Sequence, residues 1–331
     1  MERSIARLLV PASLAILAAC GGGGGGGGGP QATGTLNLRI GDAPVDNALE
    51  VIVVFTGVEL KPLGGAPFRV DFCNPTGNLA DCRRIDLLQL QDGVTDDLLR
   101  NQSVAAGQYE WLRLAVVAER NRNDASYIRL DNGNQYPLYV PSGAETGLKL
   151  VRPFTVAQGG ITRLVVDFDL RKSVIAPPGL APNYLLKPTL RLVDELQTGT
   201  LEGQVDLAAL GTELQKESCT AGVYLFTGSD ATPDDMDGAT ADGPDPLVYA
   251  ALTADAAGGT VASYTFPFIE AGSYTVAFTC DFAVDAAADA SEYDPAATEG
   301  QPGYQSMSWV TANATVNAGE TVVVDFPFTG L

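Results

Sequence analysis

The chain has 331 residues, contains no histidine and carries 40 acidic against 20 basic side chains, a net charge of −20 at neutral pH. A charge of this sign argues against nucleic acid as a partner and against attraction to anionic lipid. The lack of histidine excludes Ser-His-Asp triads, Cys-His dyads and histidine-ligated zinc. Carboxylate pairs and Ser-Lys remain as enzyme routes, so composition favours a protein that is not an enzyme.

The first 19 residues have the pattern of a secretory signal peptide. Two arginines precede an apolar run over residues 8–17, which is too short to span a bilayer. The next residues, Leu17 to Cys20, read Leu-Ala-Ala-Cys and resemble the bacterial lipobox. The resemblance implies that Cys20 is lipidated and becomes the mature N-terminus. Ordinary secretion with cleavage near Ala19 is the alternative.

Nine consecutive glycines, Gly21 to Gly29, follow that cysteine. Polyglycine cannot pack a core, and as a flexible coil it spans roughly 15–20 Å. Residues 20–33 are therefore predicted to tether the folded part to a membrane. Gly21 stands where an aspartate would resemble an inner-membrane retention signal, so the sequence favours the outer membrane of the cell envelope.

The distribution of charge predicts two modules after the tether. Residues 20–199 contain 17 basic and 19 acidic side chains, whereas Lys216 is the single base from Thr200 onward, against 20 acids. We expect one module over residues 34–195 and an acidic one over residues 200–331.

Short alternating segments with Gly/Pro turns predict an all-β fold for the first module. Residues 49–55 are apolar at nearly every position, which indicates a central strand covered on both faces. Residues 85–90 and 96–99 are expected to be short helical or turn segments. The remaining predicted strands are 35–40, 110–118, 163–170 and 186–192.

A series of short segments carries a family resemblance over about residues 34–195. The segments are Leu36–Ile40, Asp42–Pro44, Asp86–Leu88, Ala106–Tyr109, Pro141–Gly143, Gly147–Leu150, Asp167–Asp169, Ser173–Val174 and Leu186–Pro188. In order and spacing they resemble domain-of-unknown-function family 4382 of bacterial and archaeal lipoproteins. The resemblance implies an exported β-sandwich and no particular activity.

The second module also reads as strands, over residues 201–207, 221–226, 271–278 and 321–328. Over about residues 200–328 it resembles the transthyretin-like and carboxypeptidase-regulatory-like sandwiches of surface proteins. The expected fold is thus all-β, with two β-sandwich domains of immunoglobulin-like or transthyretin-like type. Both modules contain an Ala-Gly-x-Tyr strand opener.

Each module contains an even number of cysteines besides the lipobox residue. Cys73 and Cys82 lie in the first module, Cys219 and Cys280 in the second. In an exported protein this predicts two disulfides. A metal site made from all four thiolates is the alternative, although the spacings are not those of a zinc ribbon.

Asp167 and Asp169 form the best candidate acid pair. At positions i and i+2 of a strand they share a face about 7 Å apart, within the range that glycosidases use. A carboxylate-dependent hydrolase is therefore the alternative function. The structural interpretation is a cross-strand ion pair with Lys187, Arg191 or Arg163.

An acidic loop, residues 229–245, is a weak calcium candidate through Asp230, Asp234, Asp235 and Asp237. Oxygen-rich loops suit calcium, but the spacing is not that of an EF-hand. A solvated, mobile loop is the simpler interpretation, and no other cofactor is expected.

Seven bases against two acids between residues 149 and 191 form a basic stretch. This stretch could bind an anionic ligand, contact the acidic second module, or simply be solvated. Taken together, the sequence predicts a lipid-anchored envelope protein that binds an envelope protein or a glycan, or has a structural role.

Overall fold

The computed structural model describes residues 32–43, 48–74, 78–141, 147–176, 183–187, 189–215, 219–236, 244–252, 260–282 and 307–326. The signal peptide, Cys20 and the glycine tether lie outside these ranges. The regular secondary structure of the described residues is nearly all β, as predicted, and these residues belong to one compact unit. Within them, no helix has the length and apolar character needed to cross a membrane.

The first sandwich is built from strands β1 to β14 and contains one short α-helix, α1 (Leu170–Ser173), among its described residues. In chain order the strands are Thr33–Ala43, Ala48–Pro62, Phe68–Asp71, Arg83–Asp86, Asp96–Ala105, Gly107–Val116, Tyr127–Leu130, Gln135–Tyr139, Leu148–Leu150, Phe154–Val156, Ile161–Asp169, Val174–Ile175, Tyr184–Leu186 and Leu190–Asp194.

These strands form two sheets that face each other. Sheet I has the order β14-β11-β1-β5, with β1 and β11 parallel and the other pairs antiparallel. Sheet II has the order β10-β6-β2-β7-β8-β13-β12, and β3, β4 and β9 pair onto its central strands. One hydrophobic core lies between the sheets, because alternate residues such as Leu38 of sheet I and Leu114 of sheet II point inward and are fully buried.

The central strand of sheet II is β2, as the apolar run 49–55 predicts. Val53 and Phe55 face the main core, whereas Val54 faces outward into a small satellite core. That satellite core lies beneath the loop closed by the Cys73–Cys82 disulfide. The disulfide therefore holds a cover over an apolar part of the sheet that would otherwise face water.

The second sandwich is built from strands β15 to β21 and contains helix α2 (Leu207–Glu213). The strands are Thr198–Asp206, Gly222–Thr227, Val248–Ala251, Val261–Glu270, Gly272–Thr279, Trp309–Val316 and Thr321–Val323. Sheet III has the order β18-β15-β21 and sheet IV the order β17-β16-β19-β20. A separate hydrophobic core lies between them.

The second predicted disulfide, Cys219–Cys280, fixes the start of β16 to the end of β19 in sheet IV. Both predicted pairings are confirmed, so the four-thiolate metal site is wrong.

The outer face of sheet IV carries an aromatic cluster. Tyr224 and Phe226 alternate along β16 with Val223 and Leu225, which face the core. All four are fully buried, so β16 is covered on both faces. The Tyr224 ring packs edge-on against Trp309 of β20, with centroids 5.2 Å apart.

The shared Ala-Gly-x-Tyr motif has the same role in both sandwiches. In each, it opens the strand that follows a turn from one sheet to the opposite sheet, β5 to β6 and β18 to β19. Tyr109 donates its hydroxyl hydrogen bond to the carbonyl of Ala105 at 2.8 Å, and Tyr274 donates to that of Glu270 at 2.7 Å. These bonds tie the chain across the turn, as in the tyrosine corners of other sandwiches.

Three of the predicted segments need correction. Residues 96–99 are the beginning of the strand β5 and not a helical or turn segment, and 85–90 divides into the end of β4 and a 3-10 helix over Leu87–Leu90. The predicted strand 186–192 is two strands: Leu186 ends β13 in sheet II, and Leu190 begins β14 in sheet I. Pro188 separates them in the sequence and cannot donate to a strand ladder.

Candidate functional site

The outer face of sheet I, which points away from the first core, is the face that meets the second sandwich. Val165 of β11 and Val193 of β14 lie opposite each other on this face and are 0% and 1% exposed. A Cβ added at Gly41 would lie 3.5 Å from the ring of Phe268, and one at Gly93 would lie 3.2 Å from Pro267. The two sandwiches therefore pack directly on each other along a seam.

An ion pair between Asp167 and Arg191 lies in this seam. The two residues are direct cross-strand partners on β11 and β14. Arg191 donates from Nε to Asp167 Oδ2 at 3.0 Å, and its Nη2 donates to the same oxygen. Asp167 is only 8% exposed. The structural interpretation of this aspartate is thus confirmed, with Arg191 as the partner rather than Lys187 or Arg163.

Three cavities follow the seam and share Arg191 in their linings. Their volumes are about 430, 280 and 250 Å³. Asp167 lines the two smaller cavities, and Asp169 lines the 280 Å³ one together with Asp245. The structure therefore brings both members of the predicted acid pair to one cleft, with a guanidinium between that cleft and the largest cavity.

The largest cavity has a different charge character. Lys149, Arg152 and Arg191 from the first sandwich line it, and Glu270 is its one acidic residue. Arg152 pairs with Glu270 across the seam through Nη2 and Oε1. One member of the basic stretch thus contacts the acidic second module, and two more face the same space.

Tyr274 also lines the largest cavity and remains a neutral hydrogen-bond donor. Burial raises the pKa of its hydroxyl, the nearby Glu270 raises it further, and Arg191 lowers it. With that hydroxyl bound to a backbone carbonyl, Tyr274 positions the turn and is not placed to act as a base.

This arrangement is poorly suited to acid catalysis. A glycosidase needs one carboxyl group that presents a proton to the scissile oxygen and a second that acts as base or nucleophile. Here, one oxygen of Asp167 accepts two N–H bonds from a guanidinium on the neighbouring strand. Such a group is an ion-pair acceptor that holds β11 to β14.

Part of the acidic loop is buried, whereas the sequence predicted a solvated loop. Asp234 and Asp235 are 1% and 6% exposed, and the Asp235 backbone N–H donates to Asp234 Oδ1 at 3.1 Å. Asp230 is exposed and exchanges hydrogen bonds with Asn313 of β20. The solvated interpretation is therefore wrong for residues 234 and 235. Ala231 and Met236, on either side of them in the sequence, pack against the aromatic cluster.

The calcium suggestion gains no support from the part of the loop that is described. Asp237 lies outside the described residues. Among the residues within them, no three acidic, cysteine or histidine side chains are grouped as metal ligands would be. Calcium binding by this loop stays a prediction.

Sequence reasoning missed the seam itself. The contacts that form it, from Arg152 to Glu270 and from Gly41 to Phe268, join residues more than 100 positions apart. The sequence does contain one indication of the seam. Leu164, Val165 and Val166 are apolar in succession, which indicates that β11 is buried on both faces.

Several solved structures are similar to this chain, all of them weakly. A leucine-rich repeat protein from Bacteroides thetaiotaomicron is 13% identical, with 89% of this chain covered and a TM-score of 0.21, and this chain spans only 26% of that protein. The minor pilin of Streptococcus agalactiae is 12% identical, with 87% and 93% of the two chains covered and a TM-score of 0.15. The major pilin of Streptococcus pyogenes is 11% identical, with 89% and 98% covered and a TM-score of 0.13. Scores this low establish no common fold, and no function is carried across from these proteins.

No curated protein matches the chain. Residues 33–188, by contrast, match the family model described as "Domain of unknown function (DUF4382)". This range covers the first sandwich up to β13 and agrees with the resemblance seen in the sequence. The first sandwich, over residues 33–188, therefore belongs to the DUF4382 family.

Proposed function

We propose that the protein is a lipid-anchored component of a bacterial cell envelope with a non-enzymatic binding or structural role, toward an envelope protein or a glycan. The observation that carries the non-enzymatic part is the Asp167–Arg191 ion pair. It engages Asp167, one member of the best candidate acid pair in the sequence. The lack of histidine removes most other routes.

The lipid anchor is supported by the sequence from Leu17 to Cys20 and by the glycine tether. Acyl chains on one cysteine add roughly 0.8 kcal/mol of membrane affinity for each buried CH₂, so two or three chains hold a protein firmly. The tether lets the two sandwiches stand away from the membrane surface. For the reason given above, we place the protein at the outer membrane.

Fractionation of cells tests the anchor. The Cys20→Ala variant should move from the detergent phase to the soluble fraction and should lose palmitate labelling. Ser13→Ala, a substitution inside the same signal peptide, is the matched control and should leave both properties unchanged. Unchanged membrane retention of the Cys20→Ala protein, together with no palmitate label on the unmodified protein, would refute lipidation.

The hydrolase alternative is tested at the acid pair. Asp167→Asn/Asp169→Asn should unfold at a lower temperature than the unmodified chain, because it removes the acceptor of Arg191. A panel of glycoside substrates should show no turnover by the unmodified protein. Hydrolysis that the double substitution abolishes without lowering the melting temperature would establish the enzyme instead.

A further inference from the structure

The largest seam cavity has the volume of a small-molecule site and is partly open to solvent. Its volume of about 430 Å³ lies within the range of small-molecule pockets, roughly 300–1,000 Å³. It lies between two packed domains, where such sites are common. Leu192 and Leu247 contribute apolar wall from the two sides of the seam.

The three cations that line this cavity have N–H donors that form no hydrogen bond with a described residue. Arg191 uses Nε and Nη2 on Asp167, and its Nη1 makes no hydrogen bond to any described residue. Arg152 uses Nη2 on Glu270, and its Nε and Nη1 have no described acceptor. Lys149 lies over the ring of Trp111, 4.5 Å from its centroid, and forms no ion pair within the described ranges.

The side chains that line this cavity are mainly positive, whereas the chain as a whole is negative. Three cations line the cavity against the single carboxylate of Glu270, in a chain of net charge −20. That carboxylate is itself held by Arg152. Arg191 is likewise paired with Asp167, so Lys149 is the one base of the lining without an ion-pair partner in the described ranges. Its unmatched charge, beside the free N–H donors of the two arginines, gives a concave and partly apolar space an attraction for anions.

We infer that this cavity is a binding site for a small organic anion, one that bears a carboxylate or a phosphate group. The free Nη1 groups of Arg152 and Arg191 can each donate to an oxygen of either group, and Lys149 adds a point charge to the lining. The apolar wall then contacts the body of the ligand. This inference rests on the proposed binding role and names the chemistry of its ligand.

Calorimetric titration of the detergent-solubilised full-length protein tests the site. The probes are inorganic phosphate and glucuronate at constant ionic strength, with glucose as the neutral control. We expect saturable binding of at least one anion and none of glucose. Lys149→Gln and Arg152→Gln should each weaken that binding about tenfold, the effect of losing one charge-assisted contact.

Two further variants separate a site from a general charge effect. Glu270→Gln removes the carboxylate that competes for Arg152, so it should strengthen anion binding several-fold. Arg163→Gln removes an exposed charge of the same basic stretch outside the cavity, so it should change binding less than twofold.

The inference is overturned by either of two results. One is no saturable binding of phosphate or glucuronate; the other is an equal loss of affinity from Arg163→Gln and Lys149→Gln. Binding of phosphate alone or of glucuronate alone supports the site and identifies which group it accepts. Failure of the titration leaves the Cys20→Ala fractionation and the hydrolysis assay unaffected, so the two proposals fail separately.

Discussion

Replacing Arg191 with glutamine tests how strongly the seam depends on its ion pair. The substitution leaves the Asp167 carboxylate, 8% exposed, without the two N–H bonds that it accepts. Removing one partner of a buried ion pair costs about 3–5 kcal/mol. The Arg191 side chain is 22% exposed, and two cavities reach Asp167, so water compensates in part. We therefore expect a loss of about 2–3 kcal/mol in the free energy of unfolding.

Urea unfolding of four proteins measures the pair itself: the unmodified chain, Arg191→Gln, Asp167→Asn and the double variant. Because the two side chains are in contact, the double variant should lose less stability than the sum of the single variants, by about 1–3 kcal/mol. Arg163→Gln, an exposed position on the same strand β11, is the control and should change stability by no more than about 0.5 kcal/mol. An Arg191→Gln effect as small as that of the control would refute the assignment of this pair as a structural tie.

Further predictions concern the second sandwich and the two tyrosine corners. Replacing Cys219 and Cys280 with alanine opens a loop of 61 residues and should cost about 4 kcal/mol of stability, measured by thermal unfolding with and without reductant. Tyr109→Phe and Tyr274→Phe should each cost about 1 kcal/mol in the same assay, because each leaves a partly buried carbonyl short of a donor. No loss at either position would contradict the corner role. Burial raises the pKa of Tyr264 far above its ordinary value of 10, with a smaller contribution from Asp325, and its hydroxyl donates to the Val324 carbonyl. The stability that this tyrosine contributes is complete below about pH 10, where the tyrosine of the unfolded chain is also neutral, and should be lost as the pH rises above about 10. Tyr264→Phe should therefore make the free energy of unfolding decline less steeply between about pH 9 and about pH 11.5.

Alternation of apolar residues predicted most strands because a half-buried strand imposes it directly. It failed at residues 96–99 for a local reason. The pairing of β5 with β1 shifts register twice near Leu38, and Asn101 adopts a positive φ of 52°. Leu98 and Leu99 are consequently both buried in succession, a pattern that does not show the two-residue period of a regular strand.

The candidate site was predictable only in part. Spacing on one strand was enough to place Asp167 and Asp169 together. Arg191 could be predicted as an ion-pair partner because it lies on the polar face of its own predicted strand. The partner of Arg152 was not predictable, because it depends on which sheet the second sandwich covers. The apolar positions Val165 and Val193 mark the covered face of sheet I, but the sequence does not show which element covers them.

The position of β14 has a consequence for work with isolated fragments. The family match ends at residue 188, yet Leu190–Asp194 forms the edge of sheet I and pairs with β11 over five residues. A protein cut at the limits of the match would turn β11 into an open edge, with a row of unsatisfied N–H and C=O groups beside the newly uncovered Val165. Open, apolar strand edges recruit other chains into intermolecular sheets. Such a fragment should aggregate during refolding, whereas one that continues through the second sandwich should remain monodisperse.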